Sequence, residues 1–231
     1  MPAVAEISVR TVADQVCDLL RSELLAGGYE AGSAMREEEL AARFGVSRHP
    51  IRKALQKLSL EGLLTAKPNR GVVVAASQKE HVGGLLTPMR KQLELYALDL
   101  AVPKLSDDHR RGWQLIVRKM ERAGEDQNAQ EVLDLDAAFH QHLLVVAGLE
   151  EMAPVWQGIY SRMRDFHQEG NAQLSDLRFV SFVHGLLVSS LFCGKHTKAR
   201  ADWESHLDNG EFNKRAMTSW LRQKNAATRK K

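Results

Sequence analysis

The stretch from residue 37 to residue 75 constrains the fold of this chain more than any other. Apolar residues at helical spacing run over Glu37–Phe44 and stop at Gly45, which tolerates the backbone angles of a helix C-cap. Ser47 then stands where an N-cap is expected, and Pro50 falls in the first turn of the next helix, where its missing N–H costs nothing. Two short helices around a tight turn predict a helix-turn-helix.

The second of these helices has one apolar side and one basic side. The apolar residues at helical spacing are Ile51, Leu55, Leu58 and Leu60, and the basic ones are Arg48, His49, Arg52, Lys53 and Lys57. Two strands are predicted next, over 63–66 and 72–75, around the turn-forming residues Pro68 to Gly71. A hairpin at this place predicts the wing of a winged helix.

The distribution of charge favours a DNA-binding face. Between Arg43 and Arg70 there are seven Lys or Arg residues and one acid, Glu61, a local balance of +6, whereas the whole chain carries only +3. A basic excess concentrated in one module is expected of a surface that meets nucleic acid. Ordinary solvated charge is the alternative, but it does not explain Gly45, Ser47 and the hairpin together.

The segments GVSRHPIRKAL, EGLL and PNRG resemble the winged-helix domain of GntR-type bacterial transcription regulators, over about residues 12–75. The resemblance implies that double-stranded operator DNA is bound by the start of the second helix and by the wing. The residues it implicates are Ser47, Arg48, His49, Arg52, Lys53, Asn69, Arg70 and Gly71.

Three positions depart from that family's pattern. His49 stands where threonine is commoner, Lys53 where glutamate is commoner, and Glu38 where some members have a DNA-contacting arginine. The resemblance therefore implies the mode of DNA binding but not the operator sequence.

Chain length and a helix-start signal after the hairpin predict two domains in a mainly α protein. The 231 residues suffice for two small domains, and Ser77 with Glu80 fits a capping box ahead of a long helical pattern. We predict a winged helix-turn-helix domain over 1–76 and an antiparallel all-helical bundle over 77–231. Apolar runs are too short for a membrane span, and two distant cysteines fit a reducing, cytoplasmic setting. The predicted helices of the bundle are 79–102, 106–123, 129–147, 150–168, 175–193, 197–208 and 211–223.

Four residues of the predicted bundle have the chemistry of metal ligands. Asp136 and His140 lie four apart and project from one face of a helix. His184 and His206 lie eleven residues before and after Lys195 in a predicted helical hairpin, which puts their side chains at one level. One carboxylate and three imidazoles suit a divalent ion, zinc first, with nickel or manganese as alternatives.

This half of the chain, over roughly residues 80–222, is similar to the FCD-type effector domain of the FadR-like GntR subgroup. The resemblance implies the same four metal ligands, Asp136, His140, His184 and His206. It also implies a small carboxylate effector, for which Arg90 is a candidate anchor. Arg162, on a later helix, is a second candidate.

Three functional hypotheses follow. The favoured one is a transcription regulator, as a rule a repressor in this family, that binds a palindromic operator as a homodimer and responds to an organic acid at the metal. The second is a metal-dependent hydrolase or decarboxylase with an accessory nucleic-acid module. The third keeps DNA binding but makes the metal structural, or the signal itself.

Overall fold

The computed structural model describes residues 11–25, 28–68, 70–76 and 81–228. The chain divides into two compact units, Met1–Ser77 and Gln78–Lys231. The predicted fold class is confirmed, because the first unit is a winged helix-turn-helix and the described part of the second is helical throughout. The predicted DNA contact Asn69 and the capping box at Ser77 and Glu80 lie outside the described residues.

The first unit contains three helices and a two-stranded sheet within its described residues. The elements are α1 (Val12–Leu25), α2 (Glu37–Phe44), α3 (Arg48–Leu60), β1 (Leu64–Lys67) and β2 (Gly71–Val74). The strands pair antiparallel, with Leu64 opposite Val74 and Lys67 opposite Gly71. At Gly71 φ is +70°, a conformation in which glycine is unstrained, so the hairpin can turn there.

The turn between α2 and α3 follows the sequence prediction closely. Gly45 ends α2 in the left-handed region, φ 65° and ψ 31°, and its N–H donates to the Ala41 carbonyl. Ser47 occupies the N-cap of α3 in extended conformation, but its side chain makes no capping hydrogen bond. The hydroxyl of Ser47 is thus not committed to the helix end.

The prediction that Leu60 belongs to the apolar side of α3 is wrong. Ile51, Leu55 and Leu58 are buried, as expected, but Leu60 is 82% exposed. Each residue turns an α-helix by about 100°, so Leu60 points about 200° away from Leu58. The apolar side of α3 packs against buried α1 residues such as Leu20.

The second unit begins, in its described part, with a π-helical segment, Val82–Leu86, rather than the α-helix predicted from residue 79. The α-helices that follow are α4 (Thr87–Ala101), α5 (Asp107–Glu125), α6 (Ala129–Ala147), α7 (Ala153–Ala172), α8 (Arg178–Leu191), α9 (His196–Leu207) and α10 (Glu211–Thr228). Short 3-10 turns at Val102–Lys104 and Glu150–Met152 account for two other boundary differences.

The helix α6 runs through the core and carries two of the predicted metal ligands. It starts at Asn128, whose side chain accepts from the Glu131 N–H, and ends at Gly148, where φ is +76°. It packs against α4, α5 and α7. Trp113 of α5 is fully buried against it and donates its indole N–H to the Phe139 carbonyl. Within the described residues, each helix is too short or too polar to span a lipid bilayer.

Candidate metal centre and DNA-binding face

Three histidines from three helices meet at one point in the second unit. His140 comes from α6, His184 from α8 and His206 from α9, and one nitrogen of each lies within 4.8 Å of the other two. The ring centroids of His184 and His206 are 5.0 Å apart, as expected for residues at one level of a helical hairpin. The sequence prediction of convergence therefore holds for these three side chains.

The hydrogen bonds of the three rings leave one nitrogen of each free to bind a metal. In each ring Nδ1 faces an acceptor, which indicates that the proton is on Nδ1 and the lone pair on Nε2. The acceptors are Glu94 Oε2 at 2.8 Å for His140, the Val180 carbonyl oxygen at 2.7 Å for His184, and Asn213 Oδ1 at 2.9 Å for His206.

Two of these three unpaired nitrogens are buried. The Nε2 atoms of His140 and His184 have no hydrogen-bond partner in the part of the chain that the structure describes. A buried polar atom without a partner costs about 1–3 kcal/mol, so an ion that accepts these lone pairs would remove a penalty. The residues present therefore fit a divalent metal.

Asp136 is the fourth predicted ligand and lies beside the histidines. Its Oδ1 is 2.9 Å from His184 Nε2 and 4.0 Å from His140 Nε2. With the protons on Nδ1, Asp136 Oδ1 and His184 Nε2 present lone pairs to each other, an arrangement that a cation stabilises. Tyr160 donates its hydroxyl to Oδ2 at 2.6 Å and so orients the carboxylate.

The electrostatics of His140, His206 and Asp136 favour the protonation states that metal binding needs. Burial lowers the pKa of His140, although Glu94 opposes this, and burial with the neighbouring rings holds the pKa of His206 well below its usual value. Burial raises the pKa of Asp136, but His184, His140 and Arg90 outweigh it and the net pKa is well below normal. Neutral imidazoles and an ionised carboxylate are the ligand forms.

Glu94 of α4 organises the layer behind the histidines, and the sequence analysis missed it. The carboxylate is fully buried and accepts four hydrogen bonds, two at each oxygen. The donors are Arg90 Nε at 2.6 Å, Trp156 Nε1 at 2.8 Å, His140 Nδ1 at 2.8 Å and Trp203 Nε1 at 2.9 Å. A signal existed, because an acid four residues after Arg90 stands among apolar residues that face the core.

A cavity of about 670 Å³ opens next to the candidate metal ligands. Arg90 lines it, is 4% exposed, and has its Nη2 buried without a partner among the described residues. Its Nη1 faces His167 Nε2 at 3.2 Å. Val183 contributes an apolar wall. The cavity thus offers the guanidinium N–H group of Arg90 to an anion, whereas the three imidazole nitrogens present lone pairs that suit a cation.

Arg162 does not reach this cavity. It is not among the lining residues, and its Nη1 donates to the Gly158 carbonyl of its own helix at 2.6 Å. Arg164, two residues further along α7, points about 200° away from Arg162; its side chain is buried, and its Nη1 donates to the exposed carboxylate of Asp134 at 2.9 Å. The geometry therefore supports Arg90 as an anion anchor and gives no such support to Arg162.

The predicted DNA-contacting residues form one exposed surface on the first unit. Those of α3 and its N-cap lie opposite the buried side of that helix, and the wing adds two exposed positions. These residues are Ser47, Arg48, His49, Arg52 and Lys53, with Arg70 and Gly71.

This surface is less positive than the local sequence balance of +6 indicates. Arg48 pairs with Glu38, and Arg52 makes two 2.8 Å hydrogen bonds to the carboxylate of Glu37. Lys57 lies 3.3 Å from Asp14. These acids are outside the sequence window of 43–70 and are brought to it by folding.

Comparison with known families matches both units. The model of bacterial regulatory proteins of the gntR family matches residues 12–74, and the FCD domain model matches residues 86–209, more than half of the chain. The chain belongs to the GntR family and carries an FCD domain. The three converging histidines, His140, His184 and His206, all lie within the residues that the FCD domain model matches.

Relatives with assigned names point the same way. The chain is 32% identical over 136 residues to the Nta operon transcriptional regulator of Aminobacter aminovorans, a match covering 59% of this chain and 64% of that protein, less than two thirds. It is 24% identical over 214 residues to the transcriptional repressor RspR of Escherichia coli, covering 92% of this chain and 86% of that one.

A solved structure shows the same fold. The Escherichia coli protein McbR/YncC superposes with a TM-score of 0.68 at 20% identity, over 93% of this chain and 99% of that one. The families and relatives matched are regulatory, and they give no support to the hydrolase or decarboxylase alternative.

Proposed function

We propose that this GntR-family protein is a DNA-binding transcription regulator, acting as a repressor. A small organic acid, bound at a divalent metal in the FCD domain, controls the affinity of the protein for its operator. The observation that carries the proposal is the convergence of His140, His184 and His206 beside a cavity that Arg90 also lines. The protein binds a palindromic operator as a homodimer, which places two copies of α3 in successive major grooves.

The DNA-binding part of the proposal rests on the exposed surface of α3. Arginine at the start of a recognition helix can donate two hydrogen bonds to guanine O6 and N7. Arg48 and Arg52 are one helical turn apart on the exposed side of α3. They serve as the base readers, while Ser47 and the wing residue Arg70 contact the phosphate backbone.

A gel shift on the DNA upstream of the protein's own gene tests this role. Arg48→Ala should weaken the specific complex by roughly 5- to 150-fold, since one bidentate base contact contributes roughly 1–3 kcal/mol. Arg111→Ala is the matched control, because Arg111 is an exposed arginine of the FCD domain. An unchanged shift with Arg48→Ala would refute the role given to α3.

The metal part rests on the four candidate ligands. His140, His184 and His206 would hold the ion through Nε2, with Asp136 Oδ1 beside them. A bound divalent ion supplies a Lewis-acidic centre that can accept an oxygen of the effector's carboxylate. Arg90 Nη2, buried in the cavity wall, would donate to the same acid. The effector alters operator binding only if it prefers one arrangement of the dimer in free energy.

Metal analysis of purified variants tests the centre. His184→Ala should lose most of the bound metal, whereas His196→Ala should keep it, since His196 is exposed and pairs with Asp99. A panel of small organic acids should raise the melting temperature of the metal-loaded protein for a few members only. Full metal content in His184→Ala would exclude this centre.

Two further results separate the remaining hypotheses. Turnover of any acid in the panel, lost in His184→Ala, would favour the hydrolase or decarboxylase. Loss of the fold on chelation would favour a structural metal. Loss of the acid-induced shift alone would favour a metal that holds the effector.

A further inference from the structure

Three consecutive glutamates begin α2, and two of them are paired with the arginines of the DNA-binding surface. Glu38 pairs with Arg48, and both side chains are more than half exposed. Glu37 accepts from Nε and Nη2 of Arg52, each at 2.8 Å. The third, Glu39, pairs instead with Arg36 at 2.7 Å, outside α3.

The stability of α2 does not explain these two pairings. Acids in the first turn of a helix stabilise it through the helix dipole, and Glu39 does this as well as its neighbours. Exposed ion pairs contribute little to folding. The consequence of the pairs therefore lies on the DNA-binding surface, where the carboxylates occupy the same guanidinium groups that DNA would use.

A carboxylate beside an arginine affects the two kinds of DNA contact differently. A phosphate is an anion and is repelled by the carboxylate, and it must also displace the carboxylate from the guanidinium. The edge of guanine carries neutral acceptors, so it can share the five N–H donors of arginine with a glutamate without that repulsion. The penalty falls mainly on contacts that carry no sequence information.

We propose that Glu37 and Glu38 are specificity-determining residues, because their carboxylates hold Arg52 and Arg48 and disfavour phosphate contacts relative to base contacts. This inference rests on the proposed DNA-binding function. It assigns the acids a role in lowering sequence-independent binding rather than in raising operator affinity.

The test measures binding of the full-length protein to two duplexes of equal length, the upstream DNA that the wild type shifts and a random sequence. Glu38→Gln and Glu37→Gln should each bind the random duplex about two- to fivefold more tightly, the range expected for an exposed ion pair. Their affinity for the upstream duplex should rise less. The dependence of random binding on salt should steepen by about one counterion per arginine released.

Glu39→Gln is the matched control, because it removes the same charge from the same helical turn but not from an arginine of α3. Equal effects of Glu38→Gln and Glu39→Gln on random binding would overturn the proposal, as would an equal rise on both duplexes. In an Arg48→Ala background, Glu38→Gln should behave as Glu39→Gln does. A wild type that prefers no upstream sequence to random DNA would instead refute the proposed function itself.

Discussion

Replacing Glu94 by glutamine should destabilise the FCD domain far more than the loss of one charge at a surface would. Each carboxylate oxygen accepts two N–H groups, Arg90 and Trp156 at Oε1, His140 and Trp203 at Oε2. Whichever way the glutamine amide is oriented, its NH₂ group faces two donors. Arg90 also stays charged and buried without its counter-ion.

The magnitude follows from the buried ion pair. Removing one partner of such a pair costs about 3–5 kcal/mol. For a unit of this size, about 2–4 °C of melting temperature is lost per kcal/mol, so a decrease of roughly 6–20 °C is expected. Urea unfolding followed by tryptophan fluorescence measures the loss of unfolding free energy, and a thermal melt measures the decrease in melting temperature. The four tryptophans report on the helical unit, because they lie between residues 113 and 220.

The same substitution should weaken metal binding. If the glutamine NH₂ faces His140, the ring must accept at Nδ1, and its proton moves to Nε2, where it blocks the metal. Loss of such a partner typically reduces metal affinity about 10–100-fold. The exposed Glu151→Gln is the control. Wild-type stability and wild-type metal affinity in Glu94→Gln would refute the role of Glu94 as the common acceptor.

Three other outcomes are expected. Gly124→Ala should destabilise the helical unit by about 1–3 kcal/mol in urea unfolding, because its Cβ would lie 2.8 Å from the Arg178 backbone nitrogen. Gly185→Ala is the control and should be neutral or stabilising, since the nearest neighbour of its Cβ would be 3.9 Å away. Leu58→Ala should cost roughly 2–5 kcal/mol of winged-helix stability and Leu60→Ala within about 0.5, by circular dichroism. Chelation by EDTA should lower the melting temperature of metal-loaded protein, and added zinc should restore it; no change in either step would argue against a bound metal.

Local signals were sufficient for the winged helix and for the convergence of the three histidines. Gly45 and Pro50 constrain the backbone through their own φ angles, so their positions alone locate the turn between α2 and α3. His184 and His206 could be paired because a helical hairpin has a fixed rise per residue. Leu60 was misplaced because a leucine at a helix end fits an apolar pattern whether or not it faces the core.

The role of Glu94, the cavity and the charge of the DNA-binding surface required the tertiary structure. Glu94 accepts hydrogen bonds from residues that follow it by 46, 62 and 109 positions in the sequence. Such long-range contacts depend on how the helices cross and not on helical periodicity. A local count of charge likewise omits Glu37 and Glu38, which precede the basic window and fold back onto it. The sequence by itself therefore determined the kinds of element and most candidate ligands. The packing of those elements decided which acids neutralise which bases, because electrostatic interactions depend on distance in space and not along the chain.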